Sequence, residues 1–202
     1  MIGEPRGHGL LEGKVALVTA AAGTGIGSAT ARRLLAEGAT VVISDAHERR
    51  LAETATELGE PLAVPCDVTD EDHVQRLFAA AVARHGRIDV VVNNAGLGGT
   101  ANLVDMTDDQ WHKVVDVTLT GTFRCTRAAL HGVRVNAVAP SLAMHPFLAK
   151  VTSDELLDEL ASREAFGRAA EPWEVATVIA FLASDYSSYM TGEVVSVSSQ
   201  HP

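Results

Sequence analysis

Val15-Ala-Leu-Val-Thr19-Ala-Ala-Ala-Gly23-Thr-Gly25-Ile-Gly27, running on into Ser28-Ala-Thr-Ala-Arg-Arg-Leu-Leu-Ala-Glu37 and stopping at Gly38, decides the fold. The first five residues are apolar almost throughout, which fits a strand buried on both faces rather than one with a wet side. The second segment places Ala31, Leu34 and Leu35 on one helical face, and Gly38 supplies the stop. Between them the glycines let the backbone turn sharply and come close to a ligand. The helix that follows offers free N–H groups and a partial positive charge, the combination that binds a pyrophosphate. A glycine-rich run by itself can also be only a tight turn, but a strand before it and a helix after it favour the phosphate reading.

Outward from this unit the chain keeps alternating. Strands are predicted at Thr40–Ser44, Leu62–Pro65, Ile88–Val92, Val133–Val138 and Glu193–Val197. Helices are predicted at Glu48–Leu58, Asp70–His85, Thr107–Leu130, Ser153–Arg163 and Pro172–Leu182. Gly59 and Gly86 stop two of them, and Thr107 caps another. Apolar strands separated by amphipathic helices imply an α/β fold, a doubly wound parallel sheet in a single domain covering residues 1–202. Ligands of such sheets bind beyond the carboxyl ends of the strands.

Composition narrows the function. The 202 residues are 47% hydrophobic and 21% charged, a globular profile, with a formal net charge of −10. An acidic protein of this kind is expected to bind neither nucleic acid, which is gripped by Lys and Arg, nor an anionic membrane surface. No signal-peptide core or membrane-length apolar run is visible. Two cysteines, Cys66 and Cys125, form no ligand pattern, so no metal site or disulfide is expected, and a reducing cytoplasm is the default compartment.

Asp45 closes the second strand, 18 residues after Gly27. A carboxylate there can accept both hydroxyls of an adenosine ribose and repels a 2′-phosphate, which predicts NAD over NADP. The competing reading is an Asp that caps the next helix. His47, Arg49 and Arg50 follow; the arginines read as a solvated helix face.

Four stretches in order, Gly23–Gly27, Cys66-Asp67-Val68, Asn93-Asn94-Ala95-Gly96 and Val135-Asn136-Ala137-Val138-Ala139-Pro140, resemble the short-chain dehydrogenase/reductase family from about Gly13 onward. The resemblance implies a Rossmann fold, hydride transfer between a nicotinamide cofactor and an alcohol or carbonyl, and a homo-oligomer, tetramer or dimer. It assigns Gly23, Gly25 and Gly27 to the dinucleotide loop, with Ile26 under the pyrophosphate or nicotinamide ribose. Asp67 and Val68 would border the adenine, Asn94, Ala95 and Gly96 would shape the floor by the riboses, and Pro140 would lie near the nicotinamide. Each also has a plainer use: Asp67 opening a helix, Asn94 tying the fourth strand to its neighbour, Pro140 ending a strand. The C-terminal stretch from Arg163 is similar to actinobacterial members acting on the last two steroid rings as coenzyme A thioesters, so a CoA-linked small molecule is the expected substrate. The segment Leu142–Arg168 would be the substrate lid, although amphipathic helix packing accounts better for the spacing of its apolar residues.

Departures from the family are equally informative. Ala20 or Ala21 stands where the first glycine usually is, Thr118 replaces an Asn, His145 stands near a usual Thr, Ser141 replaces a Gly, and Ser198-Ser199-Gln200 replaces Asp-Gly-Gly. The largest departure is chemical. Family members use a Tyr with a Lys four residues later, plus a Ser. The Lys lowers the Tyr pKa, and the Tyr handles the proton on the substrate oxygen. Neither Tyr186 nor Tyr189 has a Lys at that spacing. The helix ending at Leu130 runs directly into His131, where the family inserts roughly fifty residues, a βα unit with its connections. No catalytic residue can therefore be named. Three readings stand open: a complete dehydrogenase from which a segment is missing at 130/131; a genuinely shorter chain without chemistry; and a binding or interaction protein on a relic fold. The well-kept cofactor loops favour the first. If the short chain folds, Val133–Val138 is expected beside the fourth strand, with apolar faces left uncovered.

Overall fold

The computed structural model describes residues 3–98, 101–129, 134–144, 148 and 152–199. The elements follow in order: β1 (Val15–Val18), α1 (Ile26–Ala36), β2 (Thr40–Asp45), α2 (Glu48–Glu57), β3 (Leu62–Pro65), α3 (Glu71–His85) and β4 (Val90–Val92). Then come α4 (Asp108–Val115), a π-helical turn (Asp116–Thr120), α5 (Gly121–Ala129), β5 (Ala137–Pro140), α6 (Asp154–Arg163), α7 (Pro172–Ala183) and β6 (Val194–Val197). The main sheet has the order β3-β2-β1-β4, with β2–β3 and β1–β4 parallel. This is the order of the first four strands of the six-stranded Rossmann sheet.

The chain packs as two compact units. The first holds residues 15–22 and 41–131. Its core gathers Leu17 and Val42 from the sheet, Cys66 and Val68 from beyond β3, Val74, Leu77, Phe78 and Ala81 from α3, and Cys125 from α5. Each fully buried Leu or Val in it contributes about 1.5–3 kcal/mol. The α3 residues recur at helical spacing because Asp70 caps the helix, accepting from the Asp72 and His73 amides, while Gly86 ends it in the left-handed region at φ 81°.

The second unit holds residues 1–14, 23–40 and 132–202. There α1 packs on α7, each presenting small buried side chains, Ala29 and Ala31 from one and Ala176 and Ala180 from the other. Small residues let the two helix backbones approach closely. The N-terminal segment is strapped to α1: Glu37 accepts from the His8 and Leu10 amides, and Arg33 donates to the Pro5 carbonyl and to Glu37. Beyond it, β5 and β6 form a two-stranded parallel sheet.

Strand β5 corrects two expectations. It begins at Ala137, not Val133, and its partner is β6, not β4. The late start has a cause in the preceding residues. Arg134 spends its guanidinium on the Leu182, Ser184 and Met190 carbonyls and the Ser187 hydroxyl. Asn136 donates to the Met190 carbonyl and accepts from the Glu193 amide. These two residues organise the loop after α7 rather than a strand. Among the described residues, β4 pairs with β1 alone. The junction Leu130–His131, and with it Val133, lies outside the described residues.

Candidate functional site

The loop after β1 is held by its own Thr19 hydroxyl and by amide groups of the residues that follow β4. The Thr19 hydroxyl donates to the Val92 carbonyl at 3.3 Å and accepts from the Asn94 and Ala95 amides at 3.0 and 3.1 Å. The Asn94 side chain donates to the Thr19 and Ala20 carbonyls at 3.2 and 3.0 Å. Ala20 is thereby fixed at φ 48°, a left-handed conformation that favours glycine. This is where the family's usual first glycine is absent. Asn94 thus serves the structural tie that the sequence left open for it. Thr19, the hub, was missed in sequence; its signal was a hydroxyl at the carboxyl end of a buried strand.

Farther along, Gly23 adopts φ 84° and Gly25 caps α1. Among the described residues, a Cβ at Gly25 would meet nothing within 4 Å. Among the described residues no side chain caps α1, and no acidic residue occupies its first turn, which Ile26, Gly27 and Ser28 open. A helix start without cap or carboxylate keeps its N–H groups and positive dipole end available to an anion.

Asp45, at the end of β2, accepts from the His47 amide at 2.8 Å through Oδ1 and from the Ala22 amide at 3.2 Å through Oδ2. It is not the cap of α2, a role taken by His47, whose Nδ1 accepts from Arg50 N. Each carboxylate oxygen has a further lone pair. Arg49 pairs with Glu53 on the exposed face of α2.

After β3, exposed Asp67 folds onto Thr69, accepting from its amide and hydroxyl at 2.9 and 2.8 Å. The Asp67 amide donates to His73 Nδ1 at 3.2 Å. Asp67 does not open α3, since Asp70 does. Val68 is 6% exposed and belongs to the core; a Cβ on Gly121 would come within 2.6 Å of its Cγ2. Its backbone, not its side chain, is therefore what a ligand could meet. Gly96 lies beside Thr118, which accepts from the Leu97 amide and donates to the Leu97 carbonyl, so its hydroxyl is already committed. Thr118 sits in the π-helical turn that interrupts the predicted single helix 107–130.

In the other unit, Pro140 ends β5, opposite Val197. A small cavity of about 80 Å³ opens just beyond, lined by Ser141, Glu164, Phe166, Arg168, Ser198 and Ser199 among others. Arg168 is tied to Glu174 through both carboxylate oxygens at 2.7 and 2.8 Å. His145 lies outside the described residues.

Neither cysteine is an activated nucleophile. Burial pushes the Cys66 thiol up to about 12 and the Cys125 thiol up to about 11, which keeps both protonated and inert. Among the described residues no group of three or more His, Cys, Asp or Glu could hold a metal ion, and no helix is long and apolar enough to cross a membrane. Tyr186 and Tyr189 are exposed around the turn after α7.

Comparison with known proteins agrees with this layout. The family profile described as short chain dehydrogenase matches residues 14–134, and one described as enoyl-(acyl carrier protein) reductase matches 129–199. The handover between them brackets the 130/131 junction. A Mycobacterium tuberculosis protein named (5R,7aS)-5-hydroxy-7a-methyl-1-oxo-2,3,5,6,7,7a-hexahydro-1H-indene-carboxyl-CoA reductase is 55% identical, covering 98% of this chain and 97% of that protein. The alignment runs over 254 residues, more than the 202 present here, so the relative carries an internal stretch that this chain lacks. A cis-4-hydroxycyclohexanecarboxylate dehydrogenase of Sinomonas cyclohexanicum is 35% identical, covering 91% of this chain and 94% of its own. The crystal structure of a short chain dehydrogenase from Mycobacterium smegmatis superposes with a TM-score of 0.81 at 49% identity, covering 100% of this chain and 98% of that one. Sheet order, loop chemistry and sequence thus converge, and the chain belongs to the short-chain dehydrogenase family of oxidoreductases, without the segment that holds the Tyr-x-x-x-Lys motif.

Proposed function

We propose that this chain carries the cofactor half of an NAD-dependent oxidoreductase that moves a hydride between the nicotinamide and a secondary alcohol or ketone. The substrate proposed is a CoA thioester of a bicyclic, steroid-derived ring system, by extension from the named Mycobacterium tuberculosis relative. The single observation that carries the cofactor reading is Asp45. It is a carboxylate at the carboxyl end of β2, with both oxygens positioned by backbone amides and none of its length spent on capping α2.

The proposed roles follow from local chemistry. The uncapped start of α1, with Gly23, Gly25, Ile26 and Gly27, holds the pyrophosphate. Asp45 accepts the ribose hydroxyls and repels a 2′-phosphate. Asp67 and the Val68 backbone border the adenine; Asn94, Ala95 and Gly96 form the floor by the riboses; Pro140 borders the nicotinamide. When bound, NAD supplies the redox chemistry, and the protein supplies orientation. The proton-handling Ser, Tyr and Lys belong to a βα unit absent at residues 130/131, in what is taken as one dinucleotide-binding domain. A homo-oligomer completes the reading and rests on the family alone; a cytoplasmic location rests on the cysteine usage.

Thermal unfolding with NAD or NADP tests it. NAD at a hundredfold over its Kd stabilises by about 2.7 kcal/mol. NADP is expected to act more weakly, and Asp45→Asn to narrow the difference. A folded protein whose melting ignores millimolar NAD overturns the proposal. A second reading, a dinucleotide binder without turnover, is favoured by the missing Tyr-x-x-x-Lys spacing. It predicts NAD binding without NADH production on cyclic alcohols.

A further inference from the structure

Gly121 opens α5 in an ordinary helical conformation, φ −61° and ψ −46°. Any residue adopts these angles, and a glycine there weakens a helix. What the glycine supplies is room. A Cβ at 121 would lie 2.6 Å from Val68 Cγ2 and 3.0 Å from Val68 Cβ, inside the ~3.5–4.0 Å at which carbon atoms pack. The buried Val68 side chain is therefore seated directly on the first turn of α5. One turn on, Arg124 donates to the Val68 carbonyl at 3.4 Å, and its Nε lies 3.6 Å from Glu71 Oε2. Arg127 donates to the same Glu71 oxygen at 2.7 Å. Between them the Cys125 side chain joins Cys66 and Val68 in one buried cluster. The stretch from Cys66 to Glu71 thus lies along α5, engaged through side chains, a carbonyl and a carboxylate.

The helix is itself fixed on its other side. Thr126 accepts from Asn93 Nδ2 at 2.9 Å, so the residue after β4 is held by the same helix. In the π-helical turn just before α5, the Thr118 hydroxyl accepts from the Leu97 amide at 3.1 Å and donates to the Leu97 carbonyl at 3.3 Å. One helical run therefore holds the exits of both β3 and β4. On the β3 side, Asp67 spends Oδ1 on the Thr69 amide and hydroxyl. Because α5 engages the Val68 side chain and carbonyl, what this segment has to offer a ligand is the Val68 amide and the Asp67 carboxylate.

We propose that Gly121 and Arg124 are positioning residues for the adenine border: the first turn of α5 seats Val68 so that the Asp67 carboxylate and the Val68 amide meet the edge of the base. The proposal rests on the reading that Asp67 and Val68 border the adenine. Gly121 and Arg124 act on the base through Val68. The arrangement selects an aminopurine. An ionised carboxylate only accepts hydrogen bonds, and the adenine 6-amino group donates them, whereas hypoxanthine carries a carbonyl at that place. Nicotinamide hypoxanthine dinucleotide, which matches NAD everywhere but in the base, is therefore the probe.

Calorimetric titration of the 202-residue protein with NAD and with the hypoxanthine dinucleotide tests this, with the amide resonances of Asp67 and Thr69 followed in parallel. Wild type is expected to prefer NAD about tenfold. Gly121→Ala should move both resonances and cut that preference by about threefold or more. A variant that is merely less stable weakens both dinucleotides by one factor and leaves their ratio alone. Arg124→Ala should lower the ratio in the same direction, by less. Val68→Ala removes the two methyl groups that crowd position 121. Adding Gly121→Ala to Val68→Ala should therefore leave the resonances and the ratio as Val68→Ala alone has them, which keeps the test open where Gly121→Ala alone does not fold. An unchanged ratio in Gly121→Ala overturns the proposal. So does an effect of Gly121→Ala that is as large in the Val68→Ala background as in wild type. Wild type that binds both dinucleotides alike takes the carboxylate away from the base and also overturns it. Wild type that binds neither overturns the cofactor reading itself, while the two resonances still decide whether Gly121 seats the segment.

Discussion

Ala20 carries a conformational cost that a glycine would not. At φ 48° its Cβ crowds the backbone, a cost of about 1–2 kcal/mol for an L residue. The Asn94 side chain holds it there through the Ala20 carbonyl. Ala20→Gly is expected to stabilise the protein by about 0.5–1 kcal/mol after the extra freedom of the unfolded glycine is subtracted. Melting of the two proteins side by side reads this as a rise of about 2 °C. Asn94→Ala should cost about 1–2 kcal/mol, since it strips donors from two carbonyls. The cost should shrink in the Ala20→Gly background, where the strain that Asn94 restrains is gone. Additivity of the two changes would refute the coupling. At this scale the sequence showed an Ala in a glycine's place and an Asn with two possible jobs. It could not show that one residue restrains the other, because that depends on the fourth strand returning beside the first. Asp45 was more legible: the strand end and spacing marked it, and only the cap on α2 needed coordinates to assign to His47 instead.

Most helices and strands were read to within two residues; strand β5 and the interruption of the long helix 107–130 were not. Gly38, Gly59 and Gly86 each lie in the left-handed region at a helix end, as their positions in the sequence suggested. Strand β5 depended on whether Arg134 and Asn136 would serve a strand or the loop after α7, a choice made by residues some fifty positions away. The π-helical turn at Asp116–Thr120 left no mark in an apolar pattern of helical period. The N-terminal strap was likewise invisible, since it depends on a buried ion pair. Glu37 is 0% exposed and Arg33 3%. Burial pushes the Glu37 carboxyl up, but the His8 and Leu10 amides and Arg33 outweigh it and leave the value lowered. The strap's contribution is therefore complete above the ordinary glutamate value and is lost as pH falls through the depressed one. Glu37→Gln leaves Arg33 buried without a counter-charge and should cost about 3–5 kcal/mol near neutrality. The gap to wild type should close in acid, and urea unfolding at a series of pH values checks this. Gly7→Ala acts on the same element, because its Cβ would overlap the Ala36 carbonyl oxygen. Exchange of the His8 and Leu10 amides should rise in that variant.

In the unit built on the main sheet, the absent βα segment leaves a physical imprint. β4 has one partner strand among the described residues, and its three valines are only partly buried. Along α4, the π turn and α5, buried side chains are few, while Trp111, Leu119 and Phe123 are exposed. Exposed apolar side chains on a single face, beside a strand edge with unpaired N–H and C=O groups, favour self-association. The 202-residue polypeptide is therefore expected to associate non-specifically at micromolar concentration, as sedimentation velocity would reveal. Leu119→Gln with Phe123→Gln should reduce that association at little cost in stability, because neither side chain is buried here. The same pair introduced into a longer chain, with the relative's internal stretch inserted at 130/131, should instead destabilise it, since a βα unit packed on this helix would cover those positions. The longer chain should also gain NAD-dependent turnover that the short one lacks. If the glutamine pair is equally harmless in both chains, the inserted stretch does not pack on this face, and the account of what the junction removed is wrong.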